Sequence, residues 1–217
     1  MRRAVTAEFL GAMLLTAAVV GSGIMGERLA GGNAAIALLA NTGATVAALA
    51  TLIALFGPAS GAHFNPVVTL VALWRGETRP DQTIAFIFAQ FAGCCAGAVL
   101  AHAMFELPLI QASTHVRTGF AQWLSESVAT AGLIVVAFSS PTITAAAWRV
   151  SAWIGAAYWF TASTSFANPA ITLGRSLTDT FAGIRPADAP GFIAAQLAGA
   201  VVGVILLRLL AEQKATA

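Results

Sequence analysis

Ser60-Gly61-Ala62-His63-Phe64-Asn65-Pro66-Val67-Val68-Thr69-Leu70 and, far downstream, Ser165-Phe166-Ala167-Asn168-Pro169-Ala170 each set an Asn-Pro pair in apolar surroundings. Asn is a favoured helix N-cap and Pro a favoured first helical residue, so each pair reads as a helix start. Each opens a run too short and too apolar for a surface loop, and each is flanked by longer hydrophobic stretches. A helix start inside hydrocarbon leaves backbone N–H groups unpaired unless it faces protein or a water-filled cavity. Two such starts in one chain point to a pore.

Composition supplies the membrane. The 217 residues are 58% hydrophobic and 9% charged, against roughly 25% charged in soluble domains, and mean hydropathy is +0.81. Stretches near 5–25, 34–57, 81–103, 120–140, 143–164 and 189–211 approach the ~20 apolar residues that a bilayer core requires. Half-length helices are expected near 65–74 and 168–178. The expected fold is an all-α membrane protein, one channel domain over 1–217, with six transmembrane helices and two re-entrant half-helices. Met1-Arg2-Arg3 before an apolar run resembles the start of a signal peptide, but 7–25 has no clear small-residue cleavage site, so a retained first helix is expected. Arg2, Arg3, Arg75, Arg79, Arg149, Arg208 and Lys214 fall on one side of these spans, and Arg28, Arg117, Arg175 and Arg185 on the other. The positive-inside bias puts both termini in the cytoplasm, which suits a bacterial inner membrane.

Other classes find little support. A net charge of +2 gives no footing for nucleic acid. Cys94 and Cys95 read as reduced packing residues without further soft ligands, so no metal or cofactor is expected. No Ser-His-Asp, Cys-His or carboxylate pair has a spacing that would make an enzyme.

The halves, approximately 1–118 and 119–217, repeat. Ala7-Glu8 in the first span answers Ser125-Glu126 in the fourth, and Ala89-Gln90-Phe91-Ala92-Gly93 answers Ala195-Gln196-Leu197-Ala198-Gly199. Three spans per half send the second copy into the membrane from the opposite side, and such inverted repeats place a site at the midplane where broken helices meet. An N-cap Asn accepts from first-turn N–H groups through its oxygen and keeps its NH2 for the pore. Two half-helix N-termini, each carrying roughly +0.5 charge, would repel cations and leave neutral hydroxylated solutes to meet donors. The competing reading, in which Asn65 and Asn168 cap ordinary interfacial helices, suits one such pair better than two symmetric ones. Gly11, Gly93, Gly97, Gly199 and Gly203 read as small residues for close helix approach.

The segment from Ser60 to Leu70 closely resembles the first signature loop of the aquaporin and aquaglyceroporin (major intrinsic protein) family, and Asn168-Pro169-Ala170 resembles the second. The likeness runs through Glu8, Gln90, Glu126 and Gln196 and so covers nearly the whole chain. It implies an hourglass with one pore per protomer, a homotetramer in the lipid bilayer, and a midplane built from Asn65, Pro66, Val67, Asn168, Pro169 and Ala170. Val67 stands where the family usually has Ala. Glu8 and Glu126 resemble residues that support the signature loops, although membrane carboxylates also leave open a proton-coupled transporter. His63 is either a loop-supporting donor or a pore-lining group that titrates near neutrality.

Water- and glycerol-conducting members place Arg directly after the second signature, where this chain has Ile171. Counting without gaps puts the other filter positions at Thr45, Ala156 and Ser165, with Gly155 or Ala157 taking the place of Ala156 if one residue is gapped, a wide filter with neither aromatic nor charge. Arg175, one helical turn beyond Ile171, either forms a positive outer mouth or snorkels to loop carbonyls. The stretch 168–184 resembles a bacterial branch associated with arsenic resistance, which implies arsenite and methylarsenicals as permeants beside glycerol and water. An orthodox water or glycerol channel is the alternative within the family.

Overall fold

The computed structural model describes the backbone of residues 1–215 and the side chains of residues 1–211; Lys214, counted above with the cytoplasmic charges, lies outside those described side chains. Among the described residues eight α-helices follow one another: α1 (Arg2–Leu29), α2 (Ala34–Ser60), α3 (Pro66–Trp74), α4 (Pro80–Met104), α5 (Phe120–Phe138), α6 (Ile143–Phe160), α7 (Pro169–Ser176) and α8 (Ala189–Ala215), with a short 3-10 turn at Pro186–Asp188. Helices α1, α2, α4, α5 and α8 are long and apolar enough to cross a membrane. At 18 residues α6 is also long enough to cross, spanning roughly 27 Å at 1.5 Å per residue, but it is less apolar, since it carries Arg149, Tyr158 and three Trp.

The two short helices start as the Asn-Pro pairs require. Asn65 is extended (φ −151°), and its side chain accepts from Val67 N; Asn168 (φ −156°) accepts from Ala170 N and Ile171 N, with Pro at the first helical position in both. α6 stops at Phe160, short of the expected 164. The residues that follow descend toward the midplane, with Thr164, Ser165 and Ala167 at positive φ, and a backbone committed to that descent cannot also continue a helix.

Helix pairing is the same in the two halves: α1 packs on α2 and α4, α5 packs on α6 and α8, and α2 meets α6 across the middle. Glycines permit the closest approaches. A Cβ at Gly97 would sit 2.2 Å from the Met13 carbonyl oxygen, and one at Gly199 would sit 2.3 Å from that of Ser127. The half-helices fill the waist, with α3 against α4 and α8, and α7 against α4 and α8. Large apolar side chains such as Leu39, Phe88, Trp148 and Val201 remain exposed on the outer surface. That distribution suits a lipid solvent, which removes the penalty for exposing them. Cys94 is buried and Cys95 half-buried, both as free thiols.

Candidate functional site: a cavity closing on two crossed half-helices

Each signature loop hangs from one buried carboxylate. Glu8 Oε1 accepts from Ser60 Oγ (2.6 Å) and His63 N (3.0 Å), and its Oε2 accepts from Phe64 N (2.7 Å) and Gln90 Nε2 (2.7 Å). Glu126 repeats the pattern, accepting from Ser163 Oγ (2.6 Å), Phe166 N (2.9 Å), Ala167 N (2.8 Å) and Gln196 Nε2 (2.6 Å). Gln90 and Gln196 also donate to Thr69 and Thr172, whose hydroxyls donate to the carbonyls of Asn65 and Asn168. Four donors on each carboxylate offset the cost of burying it. They also hold non-glycine residues in the left-handed region (Ala62, Phe64, Ser165 and Ala167), a conformation that persists only where its surroundings fix it.

The loops then bind each other. Asn65 Nδ2 donates to Ala167 O at 2.8 Å, and Asn168 Nδ2 donates to Phe64 O at 2.8 Å. The expectation of wholly free amide groups is therefore corrected: an NH2 carries two hydrogens, one fastens the opposite loop, and one remains for the pore. The crossing fixes the two half-helix N-termini face to face.

A cavity of about 290 Å³ leads to this crossing. Glu77, Phe138, Ser140 and Thr142 lie at one end, His63 lines its course, and Asn65 and Asn168 lie where the half-helices meet. α2 lines it with Thr45, Leu49 and Ile53, and α6 with Ala146, Val150 and Ile154. Gly57 abuts Ile143, and Gly155 abuts Val46, so α2 and α6 run antiparallel, with Thr45 deep and Ile53 near the mouth. Ile171, in the first turn of α7, also lines the cavity. His63 Nδ1 is 3.1 Å from Thr69 Oγ1, and the residue is part of the cavity lining.

The gapless count fails at Ala156. Ala156 is exposed, on one stripe with Trp148, Ala152 and Trp159, and lies about 200° around the helix from Ile154. The inward row of Ala146, Val150 and Ile154 continues instead to Ala157 and Tyr158, both buried. Tyr158 Oη lies 3.4 Å from Thr45 Oγ1, behind the cavity-lining Thr45 and within the apolar core. The four-residue spacing of that row, which ends on the only Tyr of the chain, was the available signal. Ser165 is buried at φ +50°, and its Oγ has no partner among the described residues.

Arg175 is buried and stacks on Phe166, with its guanidinium carbon 3.4 Å from the ring centroid, and its Nε donates to Ala182 O. It bonds a loop carbonyl, as one of the two readings had it, and its guanidinium lies against the ring of Phe166, a residue of the cavity lining. A second cation, Arg117, lies 5.2 Å from the same ring; its Nε donates to Gly183 O at 2.7 Å, and burial lowers its proton affinity. Arg117 was counted among the outer charges but not as a clamp. Sequence alone did not reveal it, because its partners are backbone carbonyls distant in sequence.

Comparison with known proteins gives one consistent family. The Major intrinsic protein family matches residues 1–144 and 140–217. Aquaglyceroporin AqpS of Rhizobium meliloti (strain 1021) is 52% identical over 214 residues, covering 98% of this chain and 91% of that protein. Aquaporin-1 of Homo sapiens is 36% identical over 107 residues, 48% of this chain and 38% of that protein. Among solved structures, the aquaglyceroporin from Plasmodium falciparum superposes with a TM-score of 0.75 at 17% identity, covering 95% of this chain and 94% of the other. At that identity the superposition speaks for the fold.

Proposed function

Since the chain belongs to the major intrinsic protein family, whose members are channels for small solutes, we propose that it is a passive channel for uncharged hydroxylated solutes that admits arsenite and methylarsenicals beside glycerol and water. The observation that carries this reading is the cavity that ends on Asn65, Asn168 and Ile171. Donors and two positive helix ends at the waist favour neutral oxygen-bearing solutes over cations. Arsenite at neutral pH is an uncharged trihydroxide that resembles glycerol in size and hydrogen bonding. A methylarsenical exchanges a hydroxyl for a methyl group, and an apolar edge at Ile171 accepts that methyl where a guanidinium would not. The stretch 168–184 supports the same choice through its resemblance to the arsenic-resistance branch. The selection rests on Ile171 and hydrogen bonding rather than on width alone. The protein works as a homotetramer in a bacterial inner membrane, with both termini cytoplasmic, the side that the larger number of Arg and Lys residues favours.

Proton-coupled transport finds no support in the site, because the four donors on each of Glu8 and Glu126 commit these carboxylates to the loops.

Liposome flux tests the reading. Swelling and shrinkage are compared for water, glycerol, arsenite and a trivalent methylarsenical, with and without a pH gradient. Passage of all four without dependence on that gradient is expected. Ile171→Arg should depress methylarsenical flux on the order of tenfold and water flux least, since a buried cation beside a methyl group forfeits solvation worth more than ~1.4 kcal/mol. Equal effects on every solute would remove Ile171 from the filter.

A further inference from the structure

A second hollow, of about 360 Å³, lies outside the pore between α3 and α8. Its floor is made of short, buried side chains, Val67 and Val71 on α3 and Ala200 on α8. Taller and exposed side chains rise at its edges, Trp74 on one side and Leu197, Val201 and Ile205 on the other. Leu197, Val201, Ile205 and Arg208 follow one another at intervals of four, four and three residues, so they lie along one face of α8. From Leu197 to Arg208 that face runs roughly 17 Å at 1.5 Å per residue. Its inner end is at the waist, where the neighbouring Gln196 bonds Glu126 and Thr172. Its other end reaches Trp74, the last residue of α3, and the Arg208 guanidinium carbon lies 4.5 Å from the centroid of that ring. The groove therefore covers about one leaflet, half of a hydrocarbon core that is ~30 Å thick.

We propose that this groove holds an anionic phospholipid of the leaflet on the side of both chain ends. One acyl chain lies over Val67 and Val71, and the headgroup phosphate lies against Arg208. That side is cytoplasmic in the orientation given above.

Shape locates the chain and charge selects the lipid. In hydrocarbon an acyl chain that enters a groove exchanges lipid contacts for protein contacts and gains only packing. The headgroup therefore decides which lipid stays. A guanidinium lying over an indole keeps its in-plane N–H donors for a phosphate. Arg75, which follows Trp74, is engaged by Glu77 at 2.5 Å, so Arg208 is the cation that the groove itself presents. Trp74 stands at the same end, and Trp is enriched at headgroup level. A lipid bound there covers the outer side of α3, the half-helix that Asn65 opens, and helps to seat it.

The test uses the purified full-length protein in detergent and native mass spectrometry, which counts bound lipids. Phosphatidylglycerol and phosphatidylcholine with identical chains are the probes. Wild type should hold phosphatidylglycerol about fivefold more tightly, the worth of one Arg near an anionic surface. Arg208→Gln, at an exposed position, should remove that preference, while Arg149→Gln, which removes an exposed cation on α6, should keep it. Val201→Trp fills the groove and should weaken both lipids. Equal retention of the two lipids by wild type would overturn the proposal, as would an Arg149→Gln variant impaired as much as Arg208→Gln. A Val201→Trp variant that loses its oligomer but keeps its lipid would also overturn it, because the groove then belongs to a second copy of the chain. Lipid counting needs no flux, so its outcome is independent of the channel reading.

Discussion

Asn168 spends its side chain in two directions, and that division explains how a neutral residue can guard a pore against cations. Its Oδ1 is held by Ala170 N and Ile171 N, and its Nδ2 by Phe64 O, so neither group can rotate to greet a cation with the oxygen. Asn168→Asp keeps the size and the oxygen that accepts both cap bonds. It replaces the donors with a negative charge that the helix ends stabilise. Proton leak into dye-loaded liposomes at neutral pH should rise severalfold above wild type, and a leak equal to wild type would mean that the barrier lies elsewhere. The residue types at this centre were legible because few sequences place Asn-Pro twice in apolar runs. The commitment of one amide hydrogen to the opposite loop was not legible, since it depends on two segments about half the chain apart meeting at hydrogen-bond distance. Ala156 was misplaced for a simpler reason: counting from a motif through a loop loses the helical phase, whereas the row Ala146, Val150 and Ile154 preserves it.

Among the elements, α1 against α4 and α5 against α8 are the rigid pillars, and their contact is backbone on backbone. Beside Gly97 lies Met13 O, and a Cβ at Gly93 would come within 2.4 Å of Phe9 O. In lipid there is no hydrophobic force between helices, so close packing of this kind supplies the association. Gly97→Leu cannot be absorbed by a rotamer change, because the obstacle is main chain. A loss of at least the 1–3 kcal/mol that overpacking typically costs is expected, with a melting temperature in detergent lower by several degrees. An unchanged melting curve would show that α1 and α4 tolerate separation. The helices themselves were read nearly to their ends, since long apolar runs admit few alternatives in a membrane. Departures came where tertiary demands intervened, as at the end of α6, whose following residues are drawn down to Glu126.

For the molecule as a whole, one face is cross-braced by a polar web that ties the connection between the halves to the loops of the second half. Arg117 N donates to Asp188 Oδ2 at 2.9 Å, and Arg185 holds Asp188 Oδ1 at 2.7 Å. Arg117 also reaches the carbonyls of Gly183 and, at 3.3 Å, Ser163, so one carboxylate steadies the cation that lies beside Phe166. Hydrogen bonding from Arg185, chiefly, holds the Asp188 carboxyl below the usual carboxylate range. A group depressed in the folded state contributes stability that is present above its unfolded pKa, about 3.9, and is lost as pH falls through its lower folded value. Asp188→Asn should therefore melt below wild type at pH 7, with the gap closing as the pH drops below about 4. The brace lies away from the crossed Asn residues, so water permeability per folded protomer at pH 7 should stay near wild type even as the melting temperature falls. A stability gap independent of pH would assign the loss to shape rather than charge. This brace escaped the sequence reading because surface-side Arg and Asp residues are common in membrane loops, and only the fold selects which of them meet.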